Sequence, residues 1–207
     1  MSWFRWWNKS RKPDTTASDA GTMGQETSAA NPLGGQAAAD KREALLALSR
    51  KLSGGSEQVA GEVAQALDHP DAYVGQWGDR LWNRGIEEPI PDLAWIALVD
   101  ALGELGLVWE IDWKQEIETT LFAVHSLLDR RGWLLPAADR RLEQAIQTDH
   151  DTFQQLNELH DWLRPHGIVL GQLDINSDSY VLIVVREDDF TEMEQLAKAS
   201  GYTLCSF

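Results

Sequence analysis

Cysteine is almost missing: Cys205 is the one copy in 207 residues. A single thiol closes no internal disulfide and builds no cysteine zinc cluster, so the cytoplasm is the expected compartment. Long apolar runs are missing too. None approaches the roughly 20 residues that a membrane-spanning helix needs. The positively charged start is not followed by the apolar stretch of about 7–15 residues that makes a secretory signal, so none is expected.

Positive charge is also scarce. There are 18 Lys and Arg against 33 Asp and Glu, a formal net charge of −15. Residues 1–12 carry Arg5, Lys9, Arg11 and Lys12 with no acid, and residues 13–40 carry Asp14, Asp19, Glu26 and Asp40 with no base. These cancel, so the full −15 belongs to residues 41–207. A body so acidic repels phosphate backbones, which argues against direct nucleic-acid binding, and it suits a basic protein partner.

Catalytic signatures are missing as well. The five histidines, His69, His125, His150, His160 and His166, never fall at the i, i+4 spacing of a zinc helix. HExxH, GxSxG, SxxK and a phosphate-binding glycine loop do not occur. Cys205 has no basic sequence neighbour to lower its pKa. No catalytic residue, metal or cofactor is therefore expected, and His160, in an apolar stripe, is expected as a hydrogen-bonded core residue.

What is present begins with 43% apolar residues, enough for a packed core. Residues 13–40 are rich in Ala, Gly, Thr and Ser and almost free of large apolar side chains. They cannot offset the entropy of ordering and read as a disordered linker. The fold is expected to start near Asp40. Leu45, Leu48 and Leu52 mark one helix; Val59, Val63 and Leu67 a second, ended near Pro70; Val74, Trp77 and Leu81 a third, stopped by Gly85. Trp95, Leu98, Leu102 and Leu105 mark a fourth.

Leu107, Trp109, Ile111 and Trp113 then alternate with Val108, Glu110 and Asp112, a period of two that predicts a strand with one apolar face. Asp112 with Gln115 fits a capping box that would open a helix bearing Ile117, Leu121, Val124 and Leu128, stopped by Gly132. Further helices are expected over 138–147 and over Thr152–Leu163, the latter with Phe153, Leu156, His160 and Leu163 in register. The last forty residues read as strand (Ile168–Ile175), turn, strand (Tyr180–Val185, buried on both faces), helix and strand (Tyr202–Ser206). Asp189 with Glu192 offers a second capping box, and Phe190, Met193 and Ala197 form that helix's inner side up to Gly201.

The stretch Asp-Ile-Asn-Ser-Asp-Ser, residues 174–179, spaces oxygen side chains as a calcium loop does. Such a loop needs Gly at its sixth position and Glu at its twelfth. Ser179 and Val185 stand there, so a hairpin bend built from turn-forming residues is the better reading. Glu110 and Asp112 project from one face of a strand about 7 Å apart. Paired carboxylates can act on glycosides, but such pairs flank the sugar from separate elements, and a partner-facing strand surface is preferred.

Tryptophan is abundant, with ten copies. Trp77, Trp82, Trp95, Trp109, Trp113, Trp133 and Trp162 fall in the folded part, mostly at apolar positions expected in the core. Any that are exposed on an acidic surface would make interface anchors. In the tail, Trp3, Phe4, Trp6 and Trp7 share one helical side and Arg5, Lys9 and Lys12 the other. This is an interfacial pattern suited to weak, reversible contact with anionic lipid, and its bland alternative is a disordered tail.

The stretches "DLAWIALVDALGELGLVWEIDWKQEIE" and "HGIVLGQLDINSDSYVLIVV" together resemble a bacterial family defined only as a domain of unknown function. The resemblance covers roughly residues 40–206. It implies a compact α+β domain in a bacterial cytoplasm and brings no established activity.

The sequence thus predicts an amphipathic tail (1–12), a linker (13–40) and one acidic α+β domain (41–207). Its mainly helical N-terminal half would pack with a small, mostly antiparallel sheet from the C-terminal part. The expected function is a non-enzymatic acidic binding protein, of the immunity or inhibitor kind, for a basic partner. Glu110, Asp112, Asp174 and Asp178 form the expected contact face. The alternatives are a peripheral inner-membrane adaptor using the tail and a carboxylate-dependent hydrolase.

Overall fold

The structure, a computed structural model, describes residues 32–135, 141, 142, 146 and 150–207. The tail residues Trp3, Phe4, Arg5, Trp6, Trp7, Lys9 and Lys12 lie outside the described residues, as do 13–31 and most of the helix expected over 138–147.

The chain runs α1 (Pro32–Leu52), α2 (Glu57–Asp68), α3 (Pro70–Trp82), α4 (Leu93–Glu104), β1 (Trp109–Asp112), α5 (Ile117–Arg131), α6 (Thr152–Leu163), β2 (Ile168–Leu173), β3 (Ser179–Arg186), α7 (Glu187–Ser200) and β4 (Leu204–Ser206). The architecture is α+β, with the helices concentrated in the N-terminal half. The four strands form one antiparallel sheet in the order β1-β3-β2-β4.

Strand alternation divides the core in two. Val169, Leu173, Val181, Ile183, Val185 and Leu204 face a cluster built with α1–α4 and α7. Ile111, Ile168, Leu170, Leu182 and Val184 face a second cluster built with α5 and α6. The sheet is therefore the middle of three layers, and β3 is buried on both faces, as its unbroken apolar run predicts. Every residue of α4 from Leu93 to Leu102 is buried, the condition of a helix enclosed on all sides.

Several local expectations give way to tertiary context. The first helix begins at Pro32, ahead of Asp40, so residues 32–40 are helical and not linker. Ala37–Ala39 are strong helix formers, and Gln36 Nε2 donates to Asp40 Oδ1 across one turn at 2.8 Å.

Asp112 does not cap α5. Pairing with Ser179 holds it in β1, and its Oδ1 accepts the Lys114 N–H at 2.8 Å, closing a turn after the strand. The N-cap of α5 is Glu116, which makes no side-chain cap bond. Asp189 is likewise no cap. The third strand runs straight into α7 at Glu187, whose N–H donates to Gly167 O at 3.0 Å. Glu187, Asp188 and Asp189 fill the first turn, where the helix dipole favours acids. A complete capping box occurs instead at α6, between Asp151 and Gln154.

The 174–179 stretch is the β2–β3 connection. Asp174 Oδ1 accepts the Asn176 N–H at 2.8 Å, Asn176 takes a left-handed φ of 54°, and Ser177 Oγ accepts the Ser179 N–H. These are the turn bonds that short polar residues provide.

Edge strand β4 lies so close to β2 that a Cβ at Gly171 would stand 2.8 Å from Cys205 O and 3.4 Å from a Phe190 ring carbon. Gly171→Val is expected to push β4 and α7 away from the sheet and cost about 1–3 kcal/mol, as overpacking does. Urea unfolding checks it: the midpoint falls, where an unchanged midpoint would mean that β4 moves aside freely.

Candidate functional site

Strand register decides which of the expected contact residues meet. Asp112 pairs with Ser179, one residue beyond Asp178, and Asp174 follows the last residue of β2. Asp112, Asp174 and Asp178 therefore gather at one end of the sheet. Asp174 and Asp178 are exposed and Asp112 is half-buried.

Glu110 is separated from them by its role. Its Oε2 accepts Arg84 Nη2 at 3.0 Å, on the other side of the same strand from Ile111. Arg84 also holds Asp100 Oδ1, through Nε at 2.9 Å and Nη2 at 2.7 Å. One turn earlier on α3, Arg80 contacts Glu62 and the Tyr73 hydroxyl, reaches Glu104 at 2.8 Å and approaches Asp100 at 3.4 Å. Its guanidinium lies 4.2 Å from the Trp77 ring centroid.

Burial pushes the Asp100 carboxyl up from the ordinary range, against the pull of Arg84. Burial also pushes the Tyr73 hydroxyl up, aided by the charge of Glu62. This network joins α2, α3 and α4 to the edge strand β1. Sequence reading missed it. The available signal was a pair of arginines four apart, Arg80 and Arg84, facing a pair of acids four apart, Asp100 and Glu104.

Beside Asp112 the structure opens a groove of about 260 Å³ between the β1–α5 turn, the start of α6 and β3. Trp113, Phe153 and Tyr180 form its apolar walls. Trp113 is 44% and Phe153 50% exposed, so neither is the core residue that its apolar-stripe position predicts. The reason is position. Trp113 stands just past the end of β1, and Phe153 lies in the first turn of α6, where its ring meets Tyr180 at the start of β3 and stays half exposed. Phe153, Tyr180 and Phe207 form a triangle with ring centroids 5.8–6.4 Å apart. The Lys114 ammonium sits 4.1 Å from the Trp113 ring centroid, a cation–π contact.

The polar lining of this groove is mixed, with the Lys114 ammonium and the Asp151 carboxylate both in it. Thr152 Oγ1 donates to Gln115 O, and Gln155 Nε2 donates to His150 O. His150 Nδ1 lies 3.0 Å from Glu158. The Thr152 hydroxyl and the Gln155 nitrogen are thus spent inside the protein, while His150 Nδ1 makes no hydrogen bond among the described residues. Acceptors remain: Gln155 is 4% exposed, and its Oε1 has no hydrogen-bond partner among the described residues. Asp151 gives Oδ1 to the Gln154 N–H, one of about four acceptor positions of a carboxylate. Burial, with the nearby charge of Asp151, pushes the Tyr180 hydroxyl up.

The tryptophans sort by environment. Trp95 is 1% exposed and is the one fully buried tryptophan among the described residues. Trp77, Trp109, Trp133 and Trp162 are partly buried at the margins of the two clusters, and Trp82 is 66% exposed. His160 is a core residue as expected, with Nδ1 3.1 Å from Leu170 O. Among the described residues no group of three or more His, Cys, Asp or Glu could hold a metal ion. No described helix is long and apolar enough to cross a membrane.

This fold coincides with a family boundary: the model of a domain of unknown function, DUF6630, matches residues 44–207, which takes in every element from the core of α1 to β4. The chain belongs to that family. No curated protein and no solved structure matches it. The DUF6630 region holds the buried ion network, the acidic sheet end and the aromatic groove, and the family brings no activity that would rank them.

Proposed function

We propose that this DUF6630 domain is a non-enzymatic binding protein that captures a basic segment of another protein, a masking role of the immunity or inhibitor kind. The observation that carries the reading is the gathering at one sheet end of Asp112, Asp174 and Asp178, with the exposed Trp113 ring next in the chain after Asp112. Aromatic anchors supply interface energy, and surrounding carboxylates supply steering and charge complementarity. The −15 net charge of residues 41–207 extends the same field over the whole body.

Affinity capture from the native host, with the purified full chain as bait, tests this. Ionic strengths of roughly 0.01 M and 1 M correspond to Debye lengths of about 30 and 3 Å. A protein of high pI is expected to be retained at the lower value and released at the higher. The Asp112→Asn/Asp174→Asn/Asp178→Asn variant is expected to retain much less of it. Recovery of no protein at either ionic strength, or equal recovery by the variant, would count against the reading.

A further inference from the structure

We propose that the groove walled by Trp113, Phe153 and Tyr180 is an arginine-binding subsite, which receives a guanidinium from the partner's basic segment. The proposal rests on the acidic-capture reading above and deepens it. At about 260 Å³ the groove lies below the roughly 300–1,000 Å³ of small-molecule pockets. It is sized for a single long side chain.

The chemistry of the walls selects the ligand. Thr152 Oγ1 and Gln155 Nε2 are turned onto backbone carbonyls. The buried Gln155 Oε1 is left without a partner among the described residues. A buried carbonyl oxygen without a donor is costly, and an incoming N–H relieves that cost. An anion would offer the Gln155 carbonyl only further acceptors, and it would meet the exposed Asp151 in the lining. A cation with several N–H groups satisfies both the carbonyl and the carboxylate.

The rings favour a flat cation over a compact one. A guanidinium stacks on aromatic faces, is weakly hydrated and presents five donors, whereas an ammonium is a strongly hydrated point charge. Elsewhere in the protein arginines take such positions: Arg80 stands 4.2 Å over Trp77, and Arg186 stands 4.3 Å over Trp133. At Trp113 the cation is Lys114, the next residue in the chain, at 4.1 Å. Lys114 is exposed and free to swing out, so it acts as a place-holder that an incoming arginine displaces.

The test uses the full chain and three Gly/Ser-flanked peptides with equal numbers of arginine, lysine or citrulline, followed by NMR at the Trp113 indole N–H. That signal is assigned with Trp113→Phe. The arginine peptide is expected to shift it and to bind about fivefold or more tighter than the lysine peptide; citrulline, isosteric but uncharged, is expected not to bind. Trp113→Ala should weaken the arginine peptide about tenfold, as loss of an aromatic anchor does. Lys114→Gln should tighten it about threefold by freeing the ring, a gain that partial misfolding cannot imitate.

Equal binding of arginine and lysine peptides, unchanged in Trp113→Ala, would overturn the subsite and leave the acidic-capture reading standing. A weakened or unchanged arginine peptide in Lys114→Gln would also overturn it. So would a Trp113 signal that moves in the peptide-free protein on Arg5→Gln/Arg11→Gln substitution, because the groove would then belong to this chain's own first residues. The acidic-capture reading itself is decided by the capture experiment, through its salt dependence and its Asp112→Asn/Asp174→Asn/Asp178→Asn variant.

Discussion

Arg84→Ala is expected to lower the free energy of unfolding by about 3–5 kcal/mol, the range for removing one partner of a buried ion pair. The Arg84 side chain is 5% exposed and that of Asp100 6%. Without the guanidinium, Asp100 keeps Arg80 alone among the described residues, at 3.4 Å, and faces Glu110 across the space that Arg84 filled. A buried carboxylate in that position must either take up a proton or draw in water, and both are unfavourable in the native state.

Arg84→Lys is expected to recover little of this, because one guanidinium spans two carboxylates and a single ammonium cannot match that fork. Replacing the group as a whole behaves differently. Arg84→Met/Asp100→Leu is expected to be more stable than Arg84→Ala, since no buried charge is left unpaired at Asp100. Urea unfolding with linear extrapolation measures all three. If Arg84→Ala were within about 0.5 kcal/mol of wild type, the cost of an ordinary surface substitution, the network would be ornamental. The effect also reaches the groove. Arg84 fixes Glu110, Glu110 belongs to β1, and β1 delivers Asp112 and Trp113. Amides of β1 are expected to lose hydrogen-exchange protection in Arg84→Ala before those of β2 and β3, which are interior to the sheet.

Trp95→Ala is expected to cost about 3–5 kcal/mol, the range for truncating a large buried aromatic. Trp95 is 1% exposed on α4 and stacks on Tyr202 at a centroid distance of 4.6 Å and an interplanar angle of 4°. Its Nε1 donates to Asp174 O at 2.7 Å. The indole thus joins the central helix to the β2–β3 hairpin and to the approach of β4.

Trp95→Phe separates the contributions. It keeps a ring against Tyr202 but leaves the Asp174 carbonyl without its donor, and about 1–3 kcal/mol is expected from that loss. The stack is worth about 0.5–1.5 kcal/mol beyond burial, which a Trp95/Tyr202 double-mutant cycle would read as a coupling. A Trp95→Phe variant as stable as wild type would mean that the hairpin is positioned by its own turn bonds alone.

Much of the secondary structure was legible because it is written in short-range periodicity. Leu45, Leu48 and Leu52 give α1, Val59 and Val63 give α2, and the apolar run 180–185 gives a strand covered on both faces. Gly132 and Gly201 end their helices in left-handed conformations, with φ of 68° and 93°. The bend at 174–179 was legible from its turn residues and from its mismatch to a metal loop.

The errors share one physical source. Asp112 and Asp189 carry the capping-box pattern, yet strand pairing and a direct strand-to-helix junction placed the helix starts elsewhere. A cap is worth about 1 kcal/mol, less than the pairing and burial that fix where a chain must turn. Trp113 and Phe153 lie at apolar-stripe positions, but each stands at an end of its stripe, Trp113 just past β1 and Phe153 in the first turn of α6, and there they meet solvent.

The sequence by itself determined the helices, the strands, the acidic character of the body and the absence of recognisable catalytic signatures, because these depend on neighbours within a few residues or on composition. Only the tertiary structure decided that β1 pairs with β3 and not β2, that Arg84 takes Glu110 out of the exposed acidic set, and that Trp113, Phe153 and Tyr180 line one groove with Gln155, whose buried Oε1 has no partner among the described residues. Those outcomes join residues from 26 to 73 positions apart, and such contacts are chosen by the burial and charge pairing of the whole chain, which no local pattern records.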